Sequence, residues 1–121
     1  MKKQTLDQFV LSYMECALWS STNESGNPLD HDYNYQDLTP EAMEQMVAEC
    51  ELFQFLASPY LDLAFTDYNG HDFWLTRNHH GSGFWDHDYY GEIASKKLTT
   101  ISHSFGECDL YVTEDNHIAI G

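Results

Sequence analysis

Residues 70–86 read Gly-His-Asp-Phe-Trp-Leu-Thr-Arg-Asn-His-His-Gly-Ser-Gly-Phe-Trp-Asp, and how this stretch pairs decides the fold. His71 to Arg77 is rich in aromatic and β-forming residues and predicts a strand. Asn78 to Gly83 carries turn chemistry, and Phe84-Trp85-Asp86 opens a returning strand. In the simplest register Trp74 faces Asp86. Alternation then puts Asp72, Trp74, Asp86 and Asp88 on one face, with His71, Phe73, Leu75, Trp85 and His87 on the other. Phe73, Trp74, Leu75, Phe84 and Trp85 would supply much of the packing of this hairpin.

Upstream of Asn69-Gly70 the period is helical. Leu6, Phe9, Val10, Tyr13 and Ala17 share one helix face, which predicts a helix from Thr5 to about Trp19. Thr5 and Gln8 have capping-box spacing at its start. Ser20 to Asp37 is polar, with Gly26, Asn27-Pro28 and paired Asp and Tyr residues. It predicts a loop longer than the usual connection, and long loops are either functional or mobile. Thr39-Pro40-Glu41 is a strong helix start: Thr caps, Pro suits the first helical position, and Glu faces the positive dipole end. Met43, Met46, Val47, Cys50 and Phe53, with Leu56 as a further candidate, then form an apolar stripe, Ser58-Pro59 breaks the helix, and Tyr60 to Phe65 predicts a short helical turn.

Downstream, Tyr90 to Phe105 predicts a helix with Ile93, Leu98, Ile101 and Phe105 apolar, and Gly106 suits its C-cap. Asp109 to Thr113 and His117 to Ile120 predict two strands joined by Glu114-Asp115-Asn116. The expected order is α-α-(α)-β-β-α-β-β, and short turns between strands favour an antiparallel sheet. The expected class is therefore α+β, with N-terminal helices packed on a small antiparallel sheet, as a single domain over residues 1–121.

Charge is the strongest compositional signal. Twenty Asp and Glu face five Lys and Arg, for a formal net charge of −15. Between Gln4 and Thr76 there is no Lys or Arg, while thirteen carboxylates lie there. A phosphate backbone is repelled by such a chain, so direct nucleic-acid binding is excluded as an expectation. Solubility alone asks for a net charge of only about 2 to 8 in magnitude. With 42% hydrophobic and 15% aromatic residues the chain can still bury a core. No apolar run approaches the about 18–20 residues that span a bilayer. The N-terminus lacks the apolar stretch of a signal peptide, so a cytoplasmic location without membrane association is expected.

Catalytic signatures are absent. There is no G-x-S-x-G elbow, and Gly81-Ser82-Gly83 lacks the Gly-Lys-Ser/Thr ending of a phosphate loop. Cys16, Cys50 and Cys108 are odd in number and scattered, which argues against disulfides and a Cys-based zinc site and for small buried hydrophobes. His71, Asp72, His79, His80, Asp86, His87 and Asp88 cluster on the expected hairpin, and a divalent ion could recruit His and Asp from one face of it. Yet no H-E-x-x-H pair or fixed ligand spacing occurs, so neither metal nor other cofactor is expected, and no catalytic residue is assigned. Arg77, the only cation from Gln4 to Ser95, reads as a structural ion pair to an Asp or Glu.

The 70–86 block resembles a family of small acidic proteins encoded by tailed bacteriophages, whose members carry a similar G-H-D-F-W-L-T-R-N-x-H-G-x-G-F-W-D block. Ala17-Leu18-Trp19-Ser20-Ser21, Leu98-Thr99, Phe105-Gly106-Glu107 and Asp109-Leu110-Tyr111 are also similar. The resemblance implies a phage or prophage origin and the host cytoplasm, and it implies no reaction. Asp86-His87-Asp88-Tyr89-Tyr90 departs from it, since relatives often carry a basic residue and glycines there. The function expected is inhibition of a host nucleic-acid-handling defence machine, a CRISPR effector or a restriction enzyme, by presenting carboxylates where it expects phosphates. Asp30, Asp32, Asp37, Glu41, Glu44, Glu49 and Glu51 are the expected contact residues for a basic partner surface. Two alternatives stay open: a metal-dependent enzyme using the 71–88 hairpin, and a phage accessory protein with no host target.

Overall fold

The computed structural model describes residues 7–61, 66–86 and 90–121. The α+β class is observed. Among the described residues four helices, α1 (Gln8–Ser20), α2 (Pro40–Ala57), α3 (Thr66–Arg77) and α4 (Glu92–Ser104), precede strands β1 (Leu110–Val112) and β2 (Ile118–Ile120). The strands pair antiparallel with Leu110 opposite Ile120 and Val112 opposite Ile118. Asn116 closes their turn with a positive φ of 62°, a conformation that Asn tolerates better than most residues.

The expected 71–86 hairpin does not form. Its first strand is the second half of α3, and its second is a single 3₁₀ turn, Phe84–Asp86. The physical reason lies in which positions face inward. Asn69, Asp72, Phe73, Thr76 and Arg77 are all buried, and their spacing of three and four residues is that of a helix face. Trp74 is buried beside them, but the buried apolar residues Phe73 and Trp74 are adjacent in sequence and carry no helical period, so a hydrophobic pattern cannot reveal the helix. The Asn78-His79-His80 segment is its C-cap: His79 takes φ 55°, His80 N–H bonds to the Leu75 carbonyl at 3.1 Å, and His79 N–H to that of Thr76 at 3.2 Å. These two bonds form a Schellman motif.

α1 is the central element, with Phe9, Val10, Tyr13, Met14, Cys16, Ala17 and Leu18 buried. Asp7 caps it, its side chain accepting from Val10 N–H at 2.9 Å. The expected start at Thr5 lies outside the described residues, as does most of the helical turn expected over 60–65. α2 begins as expected, with Thr39 Oγ1 accepting from Ala42 N–H at 3.1 Å and Pro40 at its first position.

α1 and α3 cross closely at Gly70. A Cβ there would stand 2.3 Å from the Phe9 carbonyl oxygen and 2.1 Å from Ser12 Oγ, so only glycine fits the crossing. The core around it is aromatic. Phe53 stacks on Phe73 with centroids 4.0 Å apart, Tyr13 on Phe73 at 5.1 Å, and Phe105 meets Phe73 edge-on at 5.0 Å. Such offset and edge contacts add about 0.5–1.5 kcal/mol each beyond area burial. Phe73, Trp74 and Phe84 join this core as expected, but Trp85 is 45% exposed.

Arg77 locks the layers together. It is 1% exposed and donates to Gly106 O at 2.8 Å, Phe105 O at 3.0 Å, Tyr13 Oη at 2.9 Å and Glu49 Oε1 at 2.8 Å. The structural ion pair expected from the sequence is thus present, and its partner is Glu49. The two carbonyls belong to the C-terminal end of α4, where a cation also complements the helix dipole. Burial works against the guanidinium charge, while the Tyr13 oxygen and Glu49 overcome it and hold Arg77 above its ordinary pKa.

Candidate functional site

The residue 21–37 loop is built rather than slack. Leu29 is buried at its middle, and Leu29 N–H bonds back to the Ser21 carbonyl at 2.9 Å. Two 3₁₀ turns, Leu29–His31 and Tyr35–Asp37, give it regular geometry. The second is held by a capping box: Asn34 Oδ1 accepts from Gln36 N–H at 2.8 Å, and Asp37 Oδ2 from Asn34 N–H at 2.9 Å. At its end Leu38 is buried and bridges in parallel to Ile118 of β2. Apolar anchors at Leu29 and Leu38 therefore hold a polar outer surface in one shape.

Two clefts open along this loop and share Tyr33. One, of about 590 Å³, is lined by Glu15, Leu18, Trp19, Asp30, Tyr33, Asn34, Tyr35, Gln36 and His71. Helix α1 contributes Glu15, Leu18 and Trp19 to it, positions three and four residues apart and so on one face. The other, of about 460 Å³, lies between the start of the loop and β1, and includes Glu24, Asp32 and Tyr111. Among the described residues neither cleft is lined by a Lys or Arg. Glu15, Glu24 and Asp30 have no hydrogen-bond or ion-pair partner among the described residues, whereas Asp32 meets the exposed His31 ring at 3.1 Å.

The seven carboxylates expected to contact a partner fall into three groups. Asp30 and Asp32 are exposed on the rims of the two clefts. Glu41, Glu44 and Glu51 lie on the outer face of α2, opposite the buried Ala42, Met46, Cys50, Phe53 and Ala57. Asp37 and Glu49 are engaged inside the chain, Asp37 in the capping box and Glu49 with Arg77. Glu49, expected as a contact residue, sits at the edge of the α2 core face and is paired there with the buried Arg77 cation. Glu15, Trp19, Tyr33 and Tyr35 were not expected in a site. Their one signal in the sequence is a Trp at the end of the α1 pattern beside a loop with two tyrosines, and that signal is ambiguous until the loop folds back.

The histidine and aspartate cluster is dispersed by the helix. His71 turns toward the larger cleft, while His79 passes the end of α3 and stacks on His103 of α4, with centroids 4.3 Å apart. Asp72 is buried, accepting from Tyr90 Oη at 3.2 Å, and Tyr90 Oη also bonds Asn69. His87 and Asp88 lie outside the described residues. Among the described residues no group of three His, Cys, Asp or Glu could hold a metal ion, so the hairpin face on which a metal site depended is absent. The three cysteines are free and buried. Burial pushes the Cys16 thiol up to about 12 and raises Cys50 and Cys108 as well, which makes them poor nucleophiles. Among the described residues no helix is long and apolar enough to cross a membrane.

Comparison of the chain with protein-family models, with curated proteins and with solved structures returns no match.

Proposed function

We propose that this protein is an acidic interaction module that docks on a basic protein surface built for nucleic acid and excludes the nucleic acid from it. The observation that carries this reading is the 21–37 loop, which holds Glu24, Asp30 and Asp32 outward around two clefts that no Lys or Arg of the described residues lines. Glu24 and Asp30 keep their charges without a partner among the described residues, at the cost of self-repulsion that a basic partner would relieve. Glu41, Glu44 and Glu51 on the outer face of α2 extend the negative field beyond the clefts.

The finer reading is a phage-encoded inhibitor acting in the host cytoplasm on a defence machine, a CRISPR effector complex or a restriction enzyme. Its support is the charge, and it is in keeping with the phage origin that the resemblance of the 70–86 block implies. Binding by matched potentials accelerates encounter and weakens as salt screens it. The test is displacement of fluorescent DNA from a purified effector complex or restriction enzyme, read by anisotropy at low and high salt. The expected result is dose-dependent loss of DNA binding that fades as salt rises, and that is weakened in a Glu24→Gln, Asp30→Asn, Asp32→Asn variant. DNA binding unchanged by the protein, or displacement insensitive to salt, would sink the reading.

A further inference from the structure

Resting on that reading, we infer that the larger cleft, between α1 and the 21–37 loop, is a receptor for one arginine side chain of the partner. Two independent features meet there. The first is aromatic: Trp19 is 58% exposed, and Tyr33 and Tyr35 line the same cleft. An exposed tryptophan costs hydrophobic stabilisation, and it offers the best available face for a cation. The second is charge. Glu15 and Asp30 both line the cleft, and neither has a partner among the described residues.

The chemistry of the lining selects the occupant. An anion would meet two carboxylates with no Lys or Arg to offset them. A neutral apolar ligand would strip water from those carboxylates and return nothing. A cation pairs with the carboxylates and stacks on the rings at once. Between the two cationic side chains, the planar guanidinium suits both elements of the wall, because it lies flat on an aromatic face while its fork engages a carboxylate. An ammonium is a compact, strongly hydrated point charge and gains less from the rings. The volume of about 590 Å³ falls within the about 300–1,000 Å³ of binding pockets, which leaves room for the arginine with its flanking backbone.

The test uses the full chain with Trp85→Phe. This removes the other exposed indole, so a ligand-induced change at exposed Trp19 is read over the emission of buried Trp74. The probe is a short blocked peptide with a single arginine, compared with the same peptide carrying citrulline or lysine. Saturable change in Trp19 emission with the arginine peptide is expected, with no response to citrulline and a weaker one to lysine. Glu15→Gln with Asp30→Asn should weaken arginine binding about tenfold or more, with an unchanged thermal melt because both carboxylates are exposed. Trp19→Ala should abolish the binding, followed by chemical shifts of the peptide. No saturable response, or equal binding of the citrulline or lysine peptide, would overturn the inference. Failure here is distinguishable from failure of the docking reading. If the protein displaces DNA from its target while the arginine peptide does not bind, only the arginine receptor falls. If the peptide binds and no DNA is displaced, only the docking reading falls.

Discussion

Replacing Gly70 with alanine sets helix propensity against tertiary packing, and the structure predicts which wins. In an exposed helix interior the change stabilises by about 0.8–1.0 kcal/mol. At the α1–α3 crossing the new Cβ would lie 2.1 Å from Ser12 Oγ, 2.3 Å from the Phe9 carbonyl oxygen and 2.8 Å from the Tyr13 backbone nitrogen. Two of these neighbours are main chain, so no rotamer change clears them. Restoring ordinary contact requires α1 and α3 to part by about 1 Å, and a gap of that size forfeits about a quarter to a half of each dispersion contact across it. Overpacking costs about 1–3 kcal/mol, and backbone contact places this case at the upper end. After the propensity gain, the net loss is about 2 kcal/mol, which lowers Tm by about 6–10 °C for a chain of this size. Thermal melting followed by far-UV circular dichroism measures it. In a Ser12→Ala background only a minor part should be recovered, because the two backbone contacts remain. A Gly70→Ala protein melting at or above the parent temperature would refute the close crossing, and with it the packing of α3.

Two further outcomes follow from the buried groups. Arg77→Met leaves Glu49 and the α4 terminal carbonyls without their donor and should destabilise by about 3–5 kcal/mol, read as a lower urea midpoint. Arg77→Lys keeps the charge but loses the fork, so it should fall between the two, and equal midpoints for all three proteins would contradict the clamp. The thiols set an alkaline limit. An unfolded Cys16 ionises near 9 and the folded one near 12, so the fold disfavours the thiolate. Its contribution to stability is intact below about pH 9 and declines above it by about 1.4 kcal/mol per pH unit. Urea midpoints taken between about pH 8 and 10 should therefore fall less steeply in Cys16→Ala than in the parent; parallel slopes would contradict the burial of this thiol.

Much of the architecture is legible in local signals. Thr39-Pro40-Glu41 starts α2 where capping chemistry says it should, Ser58-Pro59 lies just beyond its end, and the 110–120 hairpin forms around Glu114-Asp115-Asn116. These are decisions made within a few residues, so no distant contact is needed to reverse or confirm them. The pattern over 71–77 is different. Phe73, Trp74 and Leu75 favour a strand by propensity, yet β-propensity largely measures fit to a half-buried surface. Here Phe73 and Trp74 are buried together against α1, which adjacent strand residues on opposite faces could not be.

The candidate site was legible in part. Acidity pointed to the 21–37 loop, and Asp30 and Asp32 do line its clefts. Glu49 could not be told from its neighbours on α2, because what distinguishes it is Arg77, 28 residues away in sequence. Glu15 and Trp19 acquire meaning only when buried Leu29 folds Asp30, Tyr33 and Tyr35 back against them.

The sequence by itself determined the α+β class, the caps of α2, the C-terminal hairpin, the buried free cysteines, the structural role of Arg77 and the excess of negative charge. Only the tertiary structure decided that residues 66–77 are a helix, and which carboxylates stay unpaired. The reason is the same in both cases. The inward face of α3 carries Asn69, Asp72, Thr76 and Arg77, polar groups that can be buried only once their hydrogen-bond partners are in place. For Arg77 those partners come from α1, α2 and the end of α4. A local pattern records hydrophobicity, while a buried polar face is paired by residues that only the assembled fold brings near.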